Sequence, residues 1–227
     1  MGSDLTVFLE FYGLPGCGKS TVSHLVAEEL RKQGKKVIEP TYDSDHKYSG
    51  SKRKAVKLLK LVQFAVRYPE RYKRLMRLIK DNGYRGSELV SQAANITAKL
   101  WIYEKAKEDY VIFDEGLTQS AISLCQGKRS AVDNEAALYG LCKERTVRKI
   151  YIKVEAETAL ERMAGRDRHD SRIEKIEDAG EQREALRAFE EQCEGISAGF
   201  AIGSDSKDET VNVLLNWLQE MEADNRQ

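Results

Sequence analysis

The chain has 227 residues, 41% of them hydrophobic, with 37 Lys and Arg balanced by 37 Asp and Glu. A net charge of zero speaks against a globally basic nucleic-acid binder and against an acidic solvating protein, and only 3 Pro and 16 Gly speak against long disordered tracts. The zero is nevertheless a sum of two opposed parts. Between Lys47 and Arg85 thirteen Lys and Arg face only two acids, Glu70 and Asp81, so that segment carries +11 and the remainder −11. No apolar run approaches the roughly 20 residues a membrane span needs, and the start MGSDLTVFLEFYG lacks the basic region of a signal peptide. Cys17, Cys125, Cys142 and Cys193 are scattered without metal-ligand spacing, which fits reduced thiols and a cytoplasmic location.

In chain order, Leu5–Phe11 reads as a buried strand. A glycine-rich turn over Gly13–Ser20 leads into a helix with Val22, Leu25, Val26 and Leu30 at helical spacing, ended by Gly34. Lys36–Glu39 reads as a second strand closed by Pro40. From Ser51 the period changes: Leu58, Leu61, Val62 and Ala65 mark an amphipathic helix, Pro69 restarts the chain, and Leu75, Leu78 and Ile79 mark another. A third helix is expected over Glu88–Lys107 and a strand over Tyr110–Phe113. Helices follow around Thr118–Cys125 and Asp133–Cys142, then a strand over Lys149–Val154 and a helix from Glu155. A charged helix over Ile173–Gln192, a short strand at Phe200–Ile202 and a closing helix at Val211–Met221 complete the list. Strands separated by helices imply parallel pairing and right-handed crossovers. The expectation is a single α/β domain, three-layered α/β/α with a parallel sheet, and a basic helical insertion over residues 47–107.

Gly13-Leu14-Pro15-Gly16-Cys17-Gly18-Lys19-Ser20 matches G-x-x-x-x-G-K-[ST] between a strand and a helix. Backbone N–H groups in such a P-loop close around phosphates, and the helix N-terminus favours negative charge. Gly13, Pro15, Gly16, Cys17, Gly18, Lys19, Ser20 and the following Thr21 are therefore the candidate nucleotide site. Lys19 is expected to reach the β- and γ-phosphates of ATP and Ser20 to ligate Mg²⁺. Asp114 ends the strand Tyr110–Phe113 and is the second candidate metal group. Arg162 and Arg166 lie four apart and share a helix face.

These pieces in this order resemble the thymidylate kinase and deoxynucleoside kinase group of P-loop kinases over roughly residues 5–45 and 108–220. Ile38-Glu39-Pro40-Thr41 stands where that group carries a Glu-Pro pair. The resemblance implies that Glu39 takes the acceptor hydroxyl's proton, a task that could equally fall to Asp114. Ile150–Val154, Glu157–Arg162 and Met163–Asp170 resemble the group's fourth strand, helix and arginine-rich lid, here residues 162–175, which implies that Arg162, Arg166 and Arg168 reach over the transferred phosphoryl group, whose oxygens planar guanidinium donors match. Ala201-Ile202-Gly203-Ser204-Asp205 resembles its adenine loop, which implies Gly203 and Ser204 at the base. The Arg that follows the third-strand acid in that group is missing from Asp114-Glu115-Gly116, which speaks against a thymidylate acceptor.

The expected activity is transfer of the γ-phosphoryl of Mg-ATP to a small anionic acceptor, nucleoside- or nucleotide-like or a phosphorylated metabolite. The basic segment 47–85 resembles nothing in that group. A solvated cationic face is one account of it, and attraction of an anionic acceptor is the other. Lys57 and Lys60 on a leucine-rich helix could also meet an anionic membrane surface. Tyr68, Tyr72 and Tyr84 could stack on bases, as in a polynucleotide 5′-kinase. Asp114-Glu115 also reads as a metal acid beside a water-activating Glu, the pattern of a P-loop ATPase or switch. A non-catalytic nucleotide-binding adaptor and a homodimer complete the alternatives.

Overall fold

The computed structural model describes residues 6–47, 49–125, 128–165, 173–203 and 206–224. Five parallel strands form one sheet in the order β2-β3-β1-β4-β5: β1 (Val7–Tyr12), β2 (Val37–Ile38), β3 (Tyr110–Phe113), β4 (Thr146–Lys153) and β5 (Phe200–Gly203). Their residues are near-continuously apolar because helices cover both faces of the sheet. In β1 the neighbours Phe8 and Leu9 point into opposite cores, as do Val111 and Ile112 in β3.

The first core joins the sheet to α1 (Lys19–Lys32), α8 (Ala156–Ala164), α9 (Ala179–Glu194) and α10 (Lys207–Asp224) through Val22, Val26, Ala159, Leu186 and Leu214. The second joins the opposite face to α3 (Gly50–Arg67), α4 (Pro69–Asp81), α5 (Gly86–Lys105), α6 (Leu117–Leu124) and α7 (Ala131–Tyr139) through Phe64, Leu75, Ile96, Leu100, Leu117 and Leu138. The three-layer α/β/α fold with a parallel sheet is therefore present, and α3–α5 form the helical insertion between β2 and β3.

Four elements differ from the sequence expectation. Pro40 opens a helix, α2 (Pro40–Lys47), rather than closing a strand; proline suits a first helical position because it has no N–H to satisfy there. β4 begins at Thr146, since its early residues pair with Val7 and Phe8 of β1. The charged helix starts at Ala179, where the Asp178 side chain accepts from the Glu181 N–H, and Ile173–Lys175 is a separate 3-10 turn. On α3 the buried pair is Leu61 and Phe64, whereas Leu58 and Val62 are 49% and 55% exposed. The stripe facing α5 thus runs one position off the one that the aliphatic spacing suggests.

Candidate active site

β1 delivers the glycine-rich loop to the C-terminal edge of the sheet between β3 and β4, where neighbouring crossovers diverge and ligands bind in open α/β sheets. Gly16 has φ +89°, and a Cβ there would lie 2.6 Å from the Ala159 carbonyl of α8. The loop is therefore pressed against α8, and only glycine fits. Lys19 folds back on its own loop, donating to the carbonyls of Gly13 at 3.1 Å and Leu14 at 2.9 Å, with Cys17 Sγ 3.7 Å away. Gln119 of α6 grips the Gly13 peptide at both ends. Its Oε1 accepts from the Gly13 N–H at 3.0 Å and its Nε2 donates to the Gly13 carbonyl at 3.2 Å.

Ser20 Oγ donates to Asp114 Oδ2 at 2.8 Å. Two hard oxygen donors therefore meet at the foot of the loop, on its solvent side, and they fit a Mg²⁺ ion that takes few protein ligands and completes its shell with phosphate and water. Glu115 is exposed and lines the same cleft as the loop.

That cleft, about 1240 Å³, runs from Gly16, Lys19 and Ser20 to the insertion helices. Arg53, Lys57 and Lys60 of α3 form one wall with Gln92, Asn95 and Lys99 of α5. Lys57 Nζ donates to Asn95 Oδ1 at 2.9 Å. Lys99 Nζ donates to the Gly116 carbonyl at 3.1 Å and to Ser120 Oγ at 2.7 Å. Burial lowers the proton affinity of Lys99 below that of an ordinary lysine, opposed by Glu115, Glu10 and Asp114. Lys60 is lowered as well, by burial and then by the like charge of Lys57.

Gly116 has no room for a side chain. A Cβ at that position would run into the carboxylate of Glu10, a fully buried residue of β1. Glu10 accepts from the Leu117 and Thr118 N–H groups, each at 2.8 Å, and from the Tyr103 hydroxyl. It caps α6 from beneath, where the helix N-terminus favours an anion. The tyrosine's proton affinity is raised well above the usual range by burial and by Glu10.

Glu39 stands at the end of β2 but turns toward α1. Its carboxylate accepts from Arg31 Nη1 at 2.7 Å and lies 3.1 Å from His24 Nδ1, with the His24 ring stacked on Tyr42 at 4.0 Å. It is buried and does not line the cleft. Arg162 sits in the last turn of α8. Arg166, Arg168 and Ser204 lie outside the described residues, while Gly203 ends β5 and its carbonyl accepts from Thr210 Oγ1 at 3.1 Å. Of the insertion tyrosines, Tyr84 is buried, and Tyr68 packs against Phe64 and Trp101. All four cysteines are free thiols.

Glu10, Lys99, Asn95 and Gln119 were not singled out by sequence reasoning. Two left a signal: Glu10 is an acid inside an apolar strand that leads to the phosphate loop, and Lys99 interrupts the apolar run Ile96–Leu100 of α5. An ionisable residue at a buried position needs a partner or a task.

Residues 2–117, just over half of the chain, match the family described as Nephrocystin 3, N-terminal. The chain belongs to that family. No similar chain is found among curated proteins. Among solved structures, the deoxyadenosine kinase from M. mycoides with bound dATP is 19% identical, with a TM-score of 0.52, covering 93% of this chain and 98% of that one. The same enzyme with the products dCMP and a flexible dCDP is 16% identical, with a TM-score of 0.52, covering 94% and 99%. The shikimate kinase from Acinetobacter baumannii in complex with shikimate is 16% identical, with a TM-score of 0.50, covering 95% and 94%. At such identities the likeness shows the fold alone. The fold of this family member is that of P-loop kinases, and it is shared with shikimate kinase nearly as closely as with a deoxynucleoside kinase, so it does not single out the thymidylate kinase group.

Proposed function

We propose that the chain is a Mg-ATP-dependent kinase that transfers the γ-phosphoryl group to a small anionic acceptor held between the insertion helices and the C-terminal edge of the sheet. The observation that carries this reading is the Ser20–Asp114 hydrogen bond of 2.8 Å at the foot of a cleft whose far wall is cationic. Ser20 and Asp114 hold the metal, which supplies charge neutralisation on the donor phosphates when bound. The loop N–H groups cradle those phosphates. Lys19 leaves the carbonyls of Gly13 and Leu14 to meet them, since an ammonium gains more from a phosphate oxygen than from a neutral carbonyl. Arg162, Arg166 and Arg168 are assigned the charge that develops on the transferred group.

The acceptor's proton goes to Glu115. This acid faces the cleft, whereas both Glu39 oxygens are already engaged by Arg31 and His24. Glu115→Gln is then expected to lower kcat by about 10²–10⁴-fold with little change in KM, measured by coupled ADP release. An unchanged kcat would return the base role to Asp114 or Glu39.

Glu115 beside the metal acid also suits activation of water, which is the observation favouring an ATPase or switch. The two readings separate on products. A kinase releases ADP in step with acceptor phosphorylation and little inorganic phosphate, whereas a hydrolase releases phosphate with no acceptor present.

A further inference from the structure

We infer that the outer face of α3 docks on an anionic lipid bilayer, with Leu58, Leu59, Val62 and Val66 entering its interface between flanking lysines. The inference does not depend on the kinase reading.

Four of the eight large apolar side chains exposed among the described residues lie on this one helix: Leu58, Leu59 at 57%, Val62 and Val66 at 80%. The other four, Tyr42, Val90, Val132 and Val213, are each on a different helix. With the exposed Ala55 the α3 set is spaced i, i+3, i+4, i+7, i+11, one continuous stripe about 16 Å long. Apolar side chains exposed singly need no explanation, whereas a contiguous patch marks an interaction site. The stripe is not the packing face of the helix. Leu61 and Phe64 form that face, buried in the core shared with α4 and α5. Arg53, Lys57 and Lys60 line the cleft, and at 3.6 residues per turn they lie across the helix from the stripe. Covering the stripe therefore leaves the cleft open.

Charge chooses the occupant. In its 18 residues α3 carries six Lys and Arg and no Asp or Glu. Lys52 and Lys54 are exposed and fall on either side of the stripe, and Arg67 is exposed just past its end. A second copy would set one acid-free basic helix against another. Four partly exposed aliphatic side chains also offer far less than the roughly 800 Å² per partner that a stable dimer buries. A bilayer with anionic headgroups supplies both an apolar boundary and the opposite charge. Helices that lie in that boundary combine the same two features, aliphatic side chains on one face and lysines beside them. No helix among the described residues is long and apolar enough to cross a membrane, so the contact stays at the surface. So small an apolar stripe binds only marginally by itself, which makes anionic lipid the necessary second signal.

The test is co-sedimentation of the full chain with vesicles of phosphatidylcholine alone, or of equal parts phosphatidylcholine and phosphatidylserine. Wild type is compared with Val62→Gln/Val66→Gln, with Lys52→Gln/Lys54→Gln and with Lys73→Gln/Arg77→Gln on α4. All six positions are exposed, so every variant should keep the wild-type Tm. The expected result is binding of wild type to the mixed vesicles and none to phosphatidylcholine alone. Partition should weaken at least about tenfold in the Val62/Val66 variant, which loses apolar contact, and at least about tenfold in the Lys52/Lys54 variant, which loses headgroup attraction. The α4 variant should lose less. Equal binding to phosphatidylcholine alone would overturn the inference, as would unchanged binding of the Val62/Val66 variant. A full loss in the α4 variant beside intact binding of the Val62/Val66 variant would overturn it in favour of diffuse attraction to the basic surface. A dimer in sedimentation velocity without lipid, abolished by Val62→Gln/Val66→Gln, would overturn it in favour of a second copy.

Discussion

Glu10 and Gly116 are bound to each other's identity. The buried carboxylate fills the space where any other side chain at residue 116 would begin, and it holds the first N–H groups of α6. Gly116→Ala should therefore cost about 1–3 kcal/mol, the range for overpacking a filled interior, read as a fall in urea midpoint at constant m value. An unchanged midpoint would mean that Glu10 is free to move. Lys60 gives a prediction with a sign in pH. Its proton affinity is lower in the folded chain than the ordinary value of 10.5, so the protonated folded state carries a penalty below the folded pKa. That penalty is relieved as pH rises through the folded pKa toward the unfolded one. Lys60→Met should thus melt at or above wild type near neutrality, with the advantage shrinking in alkaline buffer. Melting curves across that range check it, and a variant less stable at neutral pH would contradict it.

At the level of elements, the strand-loop-helix that carries the P-loop was legible because its chemistry is local: glycines, a lysine and a hydroxyl at fixed spacing. β3 and its terminal Asp114 were legible for the same reason. What could not be read was which way helices turn. Leu58, Leu61, Val62 and Ala65 satisfy the helical period equally well, yet only Leu61 of that set is buried. Packing against α5 and α4 chose the phase, and that choice also decided that Lys57 and Lys60 face the cleft. Leu61→Ala should therefore cost about 2–5 kcal/mol as a core truncation, whereas Val62→Ala should change stability by no more than about 0.5 kcal/mol. Chemical denaturation of the two variants tests the phase, and equal losses would refute it. Glu39 teaches the same limit. The motif put a carboxylate at the end of β2, but Arg31 and His24, one helix away, determine where it points. Gly116 shows the reverse, since the glycine was plain in the sequence while the buried Glu10 carboxylate that crowds it needed the fold.

For the molecule as a whole, the zero net charge conceals a division of labour within its basic segment. Arg53, Lys57 and Lys60 of α3 line the cleft, whereas Lys73, Arg74, Arg77 and Lys80 of α4 are exposed. If the acceptor is steered by charge, its KM should rise with ionic strength. Replacing Lys73 and Arg77 by Ala should leave KM within about twofold, since rim charges chiefly alter association rate, whereas replacing Lys57 and Lys60 by Met should raise it at least about tenfold. The cleft that joins these charges to Ser20 and Asp114 is the feature from which the kinase reading follows. It is tested most directly by following the labelled γ-phosphoryl of Mg-ATP across a panel of phosphorylated and carboxylated hydroxy compounds, with wild type and Lys19→Ala side by side. Label is expected on an acceptor with wild type and none with Lys19→Ala. Label released only as inorganic phosphate by wild type, or full transfer by Lys19→Ala, would contradict it.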